Sequence, residues 1–180
     1  MKTAFFAVIS LVLLVSLCQG DAGMCHLDTL RVSTTDPQDV YIPFVNPYPE
    51  NDHFFVGVKS CEDVRIKLNY NGNEYFEIIL GKDGNSKVIL QNLLFGQILT
   101  IFSTDMNVLD CDEVKYFWVR VTSLHLSFGE GLGVGNGTIH SHNGDYDVTP
   151  ELLEDMEVGI GANSPETEFE ITCGESAHCL

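Results

Sequence analysis

Residues 63–70 read DVRIKLNY, with Val64, Ile66 and Leu68 at one set of alternate positions and Arg65, Lys67 and Asn69 at the other. A period of two is the mark of a strand with one face on a core and one in water. The pattern is not isolated. FFVGVKS (54–60), EYFEIILG (74–81), SKVILQ (86–91) and VKYFWVRVTSLHLSFGEG (114–131) follow in the same style, separated by Gly, Asn and Asp. Working outward, strand candidates fall near 39–44, 53–59, 63–70, 74–80, 86–91, 97–102, 114–122, 124–129, 156–162 and 167–172, at roughly ten-residue spacing. That cadence predicts an all-β, antiparallel, jelly-roll-like sandwich of about ten strands. A single helical turn is expected at Thr149–Met156, where a capping hydroxyl precedes Pro150 and acids fill the first turn. Three prolines between Pro43 and Pro49 mark a loop.

The chain opens with Lys2, an apolar run from Ala4 to Leu17, and Cys18-Gln19-Gly20. A run of that length with a small residue at its end describes a secretory signal peptide over residues 1–20 rather than a membrane span. The expected organisation is then an N-terminal segment at 21–37, one sandwich domain at 38–172 and a cysteine-containing tail at 173–180. Localisation is expected to be extracellular. The formal charge of −17 opposes nucleic acid and anionic membrane surfaces, so neither is an expected partner. Five cysteines follow the leader. Cys61 and Cys111 each precede a strong strand and are expected to pair, and Cys25 is expected to join Cys173 or Cys179. The odd thiol offers a route to a disulfide-linked dimer.

No constellation of catalytic type stands out. The glycine series from Gly129 to Gly137 invites comparison with loops that cradle nucleotides, but such loops need a helix N-terminus behind them, and TIHSHNGDYD has no helical period. A turning loop between strands is the expected role. Asn136-Gly137-Thr138 is a glycosylation sequon. His140 and His142 share a face if the segment is a strand and could hold one ion with Asp145, although a solvated hairpin tip accounts for the same residues, and no metal is expected. In YFWVRV, Tyr116, Trp118 and Arg120 share one face and Phe117, Val119 and Val121 the other. One of these sets belongs to the core.

Taken in order, FFVGVKSCEDVRIKLN, EYFEIILGKDGNSKVIL, DEVKYFWVRV, LHLSFGEG and MEVGIGA resemble the farnesoic acid O-methyltransferase domain, a module of secreted and multidomain animal proteins. The likeness covers about residues 38–172. It implies a β-sandwich without a cofactor fold. Gly81-Lys82-Asp83 stands where that family usually has Gly-Gly-Trp.

The functional expectation is a secreted, non-catalytic recognition module that binds glycans or extracellular proteins and uses no cofactor. Binding is expected through the Gly129–Asp147 segment at one end of the sandwich, with Asn136, His140, His142, Asn143, Asp145 and Tyr146 as ligand-binding residues. The alternatives are a disulfide-linked structural or matrix protein, and an O-methyltransferase of a terpenoid acid.

Overall fold

The computed structural model describes residues 24–26, 40–43, 52–70, 73–94, 96–122, 125–143, 156–164 and 166–172. Among the described residues, twelve strands form two antiparallel sheets. In chain order they are β1 (Met24–His26), β2 (Val40–Pro43), β3 (His53–Lys59), β4 (Val64–Tyr70), β5 (Asn73–Gly81), β6 (Lys87–Leu94), β7 (Gln97–Asp105), β8 (Lys115–Thr122), β9 (His125–Glu130), β10 (Thr138–Asn143), β11 (Met156–Ala162) and β12 (Glu168–Thr172). A four-residue helical turn, α1 (Lys82–Asn85), joins β5 to β6. One sheet runs β1-β12-β3-β8-β9-β10 and the other β2-β11-β4-β5-β6-β7.

The alternation in the sequence decides which side chains meet. Val64, Ile66 and Leu68 lie opposite Leu80, Ile78 and Phe76, and all six are buried. They pack against Val56, Val58, Phe117, Val119, Phe128 and Phe169 of the facing sheet. Burial of large aliphatic and aromatic side chains contributes about 1.5–3 kcal/mol each, which makes this interface the main source of stability.

Two expectations about local structure need correction. The ten strands read from the sequence are all present, but β1 and β10 join them. β1 pairs with β12 through Cys25 opposite Ile171, so Met24–His26 belong to the sandwich. β10 turns part of the supposed Gly129–Asp147 loop into a ladder with β9. The helical turn expected at Thr149–Met156 falls on residues outside the described set up to Asp155, and Met156 itself opens β11. Residues 1–20 and 173–180 also lie outside the described residues, and with them the expected signal peptide, Cys173 and Cys179. Among the described residues no helix is long and apolar enough to cross a membrane.

α1 owes its shape to positive φ. Gly81, Asp83, Gly84 and Asn85 have φ of 70°, 55°, 71° and 58°, a left-handed run that glycine adopts freely and Asn and Asp tolerate. A Cβ on Gly81 would also stand 2.5 Å from Leu109 Cδ1. Asn85 then clasps the chain beyond β7. Its Oδ1 accepts the N–H groups of Val108 and Leu109, and its Nδ2 donates to the Leu109 carbonyl. Beside this clasp the expected disulfide Cys61–Cys111 is present, with Cα atoms 4.4 Å apart. Ser60 N–H donates to the Asp110 carbonyl, so the disulfide and the backbone tie the same two loops.

Candidate functional site

The structure divides the residues expected to bind a ligand. Asp145 and Tyr146 lie outside the described residues. Asn136 is exposed in the glycine loop, its side chain against Gly133 and its carbonyl accepting a hydrogen bond from Trp118 Nε1. Asn143 pairs across the ladder with His125 and hydrogen-bonds its ring. His140 and His142 do share a face, but His140 turns toward the facing sheet. Its ring stacks on Phe102 of β7 at 4.1 Å and lies 6.0 Å from both Phe128 and His142. Burial, and secondly the His142 charge, hold the His140 imidazole below its ordinary range. Among the described residues no group of three or more His, Cys, Asp or Glu is placed to hold a metal ion. The four described members of the expected set are therefore spread over two faces of β10 and a loop.

The glycine series has a packing role. Trp118 faces away from the core on β8, yet it is only 1% exposed. The loop from Gly131 to Gly137 crosses it, and a Cβ at Gly129 would fall 2.7 Å from the indole ring and 2.5 Å from the Gly137 carbonyl. The loop runs into strand β10 rather than a helix.

A different surface concentrates polar chemistry. On the outer face of the β11-β4-β5-β6-β7 layer, ladder pairing sets Gly159, Lys67, Glu77, Gln91 and Thr100 in one row. The next row is Gly161, Arg65, Ile79, Ile89 and Ser103. Glu157, Asn69 and Glu74 continue the face on the other side. Residues directly opposite on a ladder stand about 5 Å apart, so the side chains within each row are neighbours.

The polar side chains of this face are little exposed. Lys67 and Glu77 are buried and Asn69 is 6% exposed, although all three point away from the core. Lys67 Nζ donates to Glu74 Oε1 at 2.8 Å, and Arg65 Nη2 donates to Asn163 Oδ1 at 2.7 Å. Of the four buried side-chain polar atoms without a hydrogen-bond partner among the described residues, two lie on this face, the acceptor Asn69 Oδ1 and the donor Arg65 Nε. An unpaired buried polar atom costs about 1–3 kcal/mol, so each calls for a reason. Arg65, Lys67 and Glu77 are legible as a wet face from their own strands. Their assembly with Gln91 is not, because register belongs to the pairing and not to a single segment.

No protein-family model matches the chain, and no curated protein matches it. Solved structures do. The chain is similar to Caenorhabditis elegans galectin LEC-6, with a TM-score of 0.50 and 14% identity over 76% of this chain and 89% of that one. It is also similar to a toad ovary galectin solved in complex with thio-digalactose, with a TM-score of 0.47 and 10% identity over 74% of this chain and 92% of that one. The likeness to the nematode protein shows a galectin-like fold, the jelly-roll sandwich expected from the sequence.

Proposed function

We propose that this chain is a secreted, non-catalytic glycan-binding module whose ligand lies on the outer face of β4, β5, β6 and β7. The observation that carries this reading is the pair of adjacent rows on that face. Lys67, Glu77 and Gln91 offer fixed donors and acceptors, and Ile79 and Ile89 beside them offer a hydrocarbon strip. A sugar ring has the complementary chemistry, hydroxyl groups round its edge and C–H groups on its face. The unpaired Asn69 Oδ1 and Arg65 Nε supply an acceptor and a donor that ligand hydroxyls would satisfy, which turns a penalty of the free protein into binding energy. The galectin-like scaffold is compatible with this role but does not assign it.

The resemblance to the farnesoic acid O-methyltransferase domain belongs to the same proposal as a secreted sandwich module without methyl transfer. The packing role of the Gly129–Gly137 loop over Trp118 favours that side of the choice. A glycan array probed with the purified protein tests the function. Specific hits that are lost in Gln91→Ala, with an unchanged melting temperature, support the reading. An array without hits, or hits indifferent to substitutions on this face, would oppose it.

A further inference from the structure

We infer that Asn136 is a modification site, and that it carries an N-linked oligosaccharide on the side of the sandwich opposite the ligand face. The inference rests on the secretory part of the proposed function, because the transfer takes place along the secretory route. Asn136-Gly137-Thr138 is the only Asn-x-Ser/Thr sequence in the chain. The step is a group transfer from an oligosaccharyl diphospholipid. Asn136 Nδ2 forms a bond to the anomeric carbon and gives up one proton, the bond from that carbon to the diphosphate oxygen breaks, and the lipid diphosphate leaves. A bulky, hydrated group of this kind is tolerated only at the surface, and the fold decides whether it is tolerated here.

Asn85, Asn143 and Asn163 use their side-chain amides to hold the fold together. Asn136 does not. It is exposed, and among the described residues its side chain makes no hydrogen bond. Its Nδ2 lies over Gly133, where a Cβ would stand 2.7 Å away, so the missing side chain leaves room at the amide. The backbone around it is fixed. Asn136 N–H donates to the Gly133 carbonyl at 2.9 Å, the Asn136 carbonyl accepts from Trp118 Nε1, and Thr138 Oγ1 donates to the Gly135 carbonyl at 2.9 Å. The attachment point is therefore held over the outer side of β8, while β4, β5, β6 and β7 belong to the other sheet. Both layers of the sandwich stand between the attached glycan and the ligand rows, so one outer face bears sugar and the other stays open to bind it.

The full chain, with residues 1–20 in place, is expressed in cultured human cells, recovered from the medium and treated with peptide N-glycosidase in heavy-oxygen water. The expected result is an intact mass that falls on treatment, with Asn136 recovered as oxygen-labelled aspartate. Asn136→Gln and Thr138→Ala should each be secreted with a mass that treatment leaves unchanged. Asn136→Gln should also keep the tryptophan emission and circular dichroism of the unmutated protein, because the fold makes no use of the amide. If both variants fail to fold, the labelled aspartate in the unmutated protein still decides. Treated and untreated protein should give the same glycan-array pattern. Secreted protein with unchanged mass and unlabelled Asn136 would overturn the inference and leave the ligand face standing. Array hits that appear only after treatment would overturn the separation of the two faces. A chain retained in the cytosol would overturn the secretory reading and the modification with it.

Discussion

Trp118 Nε1 donates a 2.8 Å hydrogen bond to the backbone carbonyl of Asn136, so the indole is roofed by the glycine loop and lies outside the main core. The roof depends on close approach at Gly129. A methyl group added there meets the indole and the Gly137 carbonyl, and overpacking against backbone costs about 1–3 kcal/mol. Gly129→Ala should lower stability by that amount and shift the emission of the sole tryptophan to longer wavelength. Unchanged emission and stability would mean that the loop does not cover the ring.

Ile66 occupies the middle of β4 in full contact with the core. Its truncation to alanine should destabilise by about 2–5 kcal/mol in urea denaturation, whereas Ile89→Ala on the outer face should have a smaller effect. Equal effects would contradict the assignment of faces.

His140 supplies a pH dependence whose sign can be fixed. Burial holds its folded pKa below the ordinary value of 6.5, so folding favours the neutral ring. The stabilisation is complete above pH 6.5 and is lost as pH falls below that value, where the unfolded chain takes up a proton that the folded chain refuses. Among the described residues, the aromatic neighbours Phe102 and Phe128 offer no charge to offset a proton, and His142 opposes it. His140→Phe should therefore flatten the stability profile on the acid side of pH 6.5. A profile unchanged by this substitution would contradict the buried placement of the ring.

The Cys61–Cys111 disulfide closes a loop with a sequence separation of 50. Loop closure of that size restricts the unfolded chain by on the order of 4 kcal/mol in the chain-entropy account. The double substitution of Cys61 and Cys111 by serine should lower stability by an amount of that order, and non-reducing peptide mapping should recover the Cys61–Cys111 peptide pair. Finding either cysteine joined elsewhere would contradict the architecture of this end of the sandwich.

Strands whose side chains alternate strictly were legible from the sequence, and β4 and β5 show why. Val64, Ile66, Leu68, Ile78 and Leu80 declare the core face without help from any partner. β10 was harder to read, because Thr138-Ile139-His140-Ser141-His142-Asn143 alternates weakly and follows a glycine run that looks like loop. His140 faces the other sheet only because Phe102 accepts its ring, a contact between strands far apart in sequence. Trp118 shows the same limit. Its alternation with Phe117 and Val119 is visible, but burial from the outer side requires the return of the Gly131–Gly137 loop. The polar face needed two registers at once, Lys67 with Glu77 and Glu77 with Gln91, and neither register is written in one segment.

The central claim, that the ligand face is the outer side of β4 to β7, is tested most directly by backbone amide chemical-shift mapping while the strongest array ligand is titrated in. The account predicts saturable shifts centred on Arg65, Lys67, Asn69, Glu77 and Gln91, with β10 unaffected. Shifts centred on Asn136 to Asn143 and the glycine loop, with β4 and β5 silent, would contradict it.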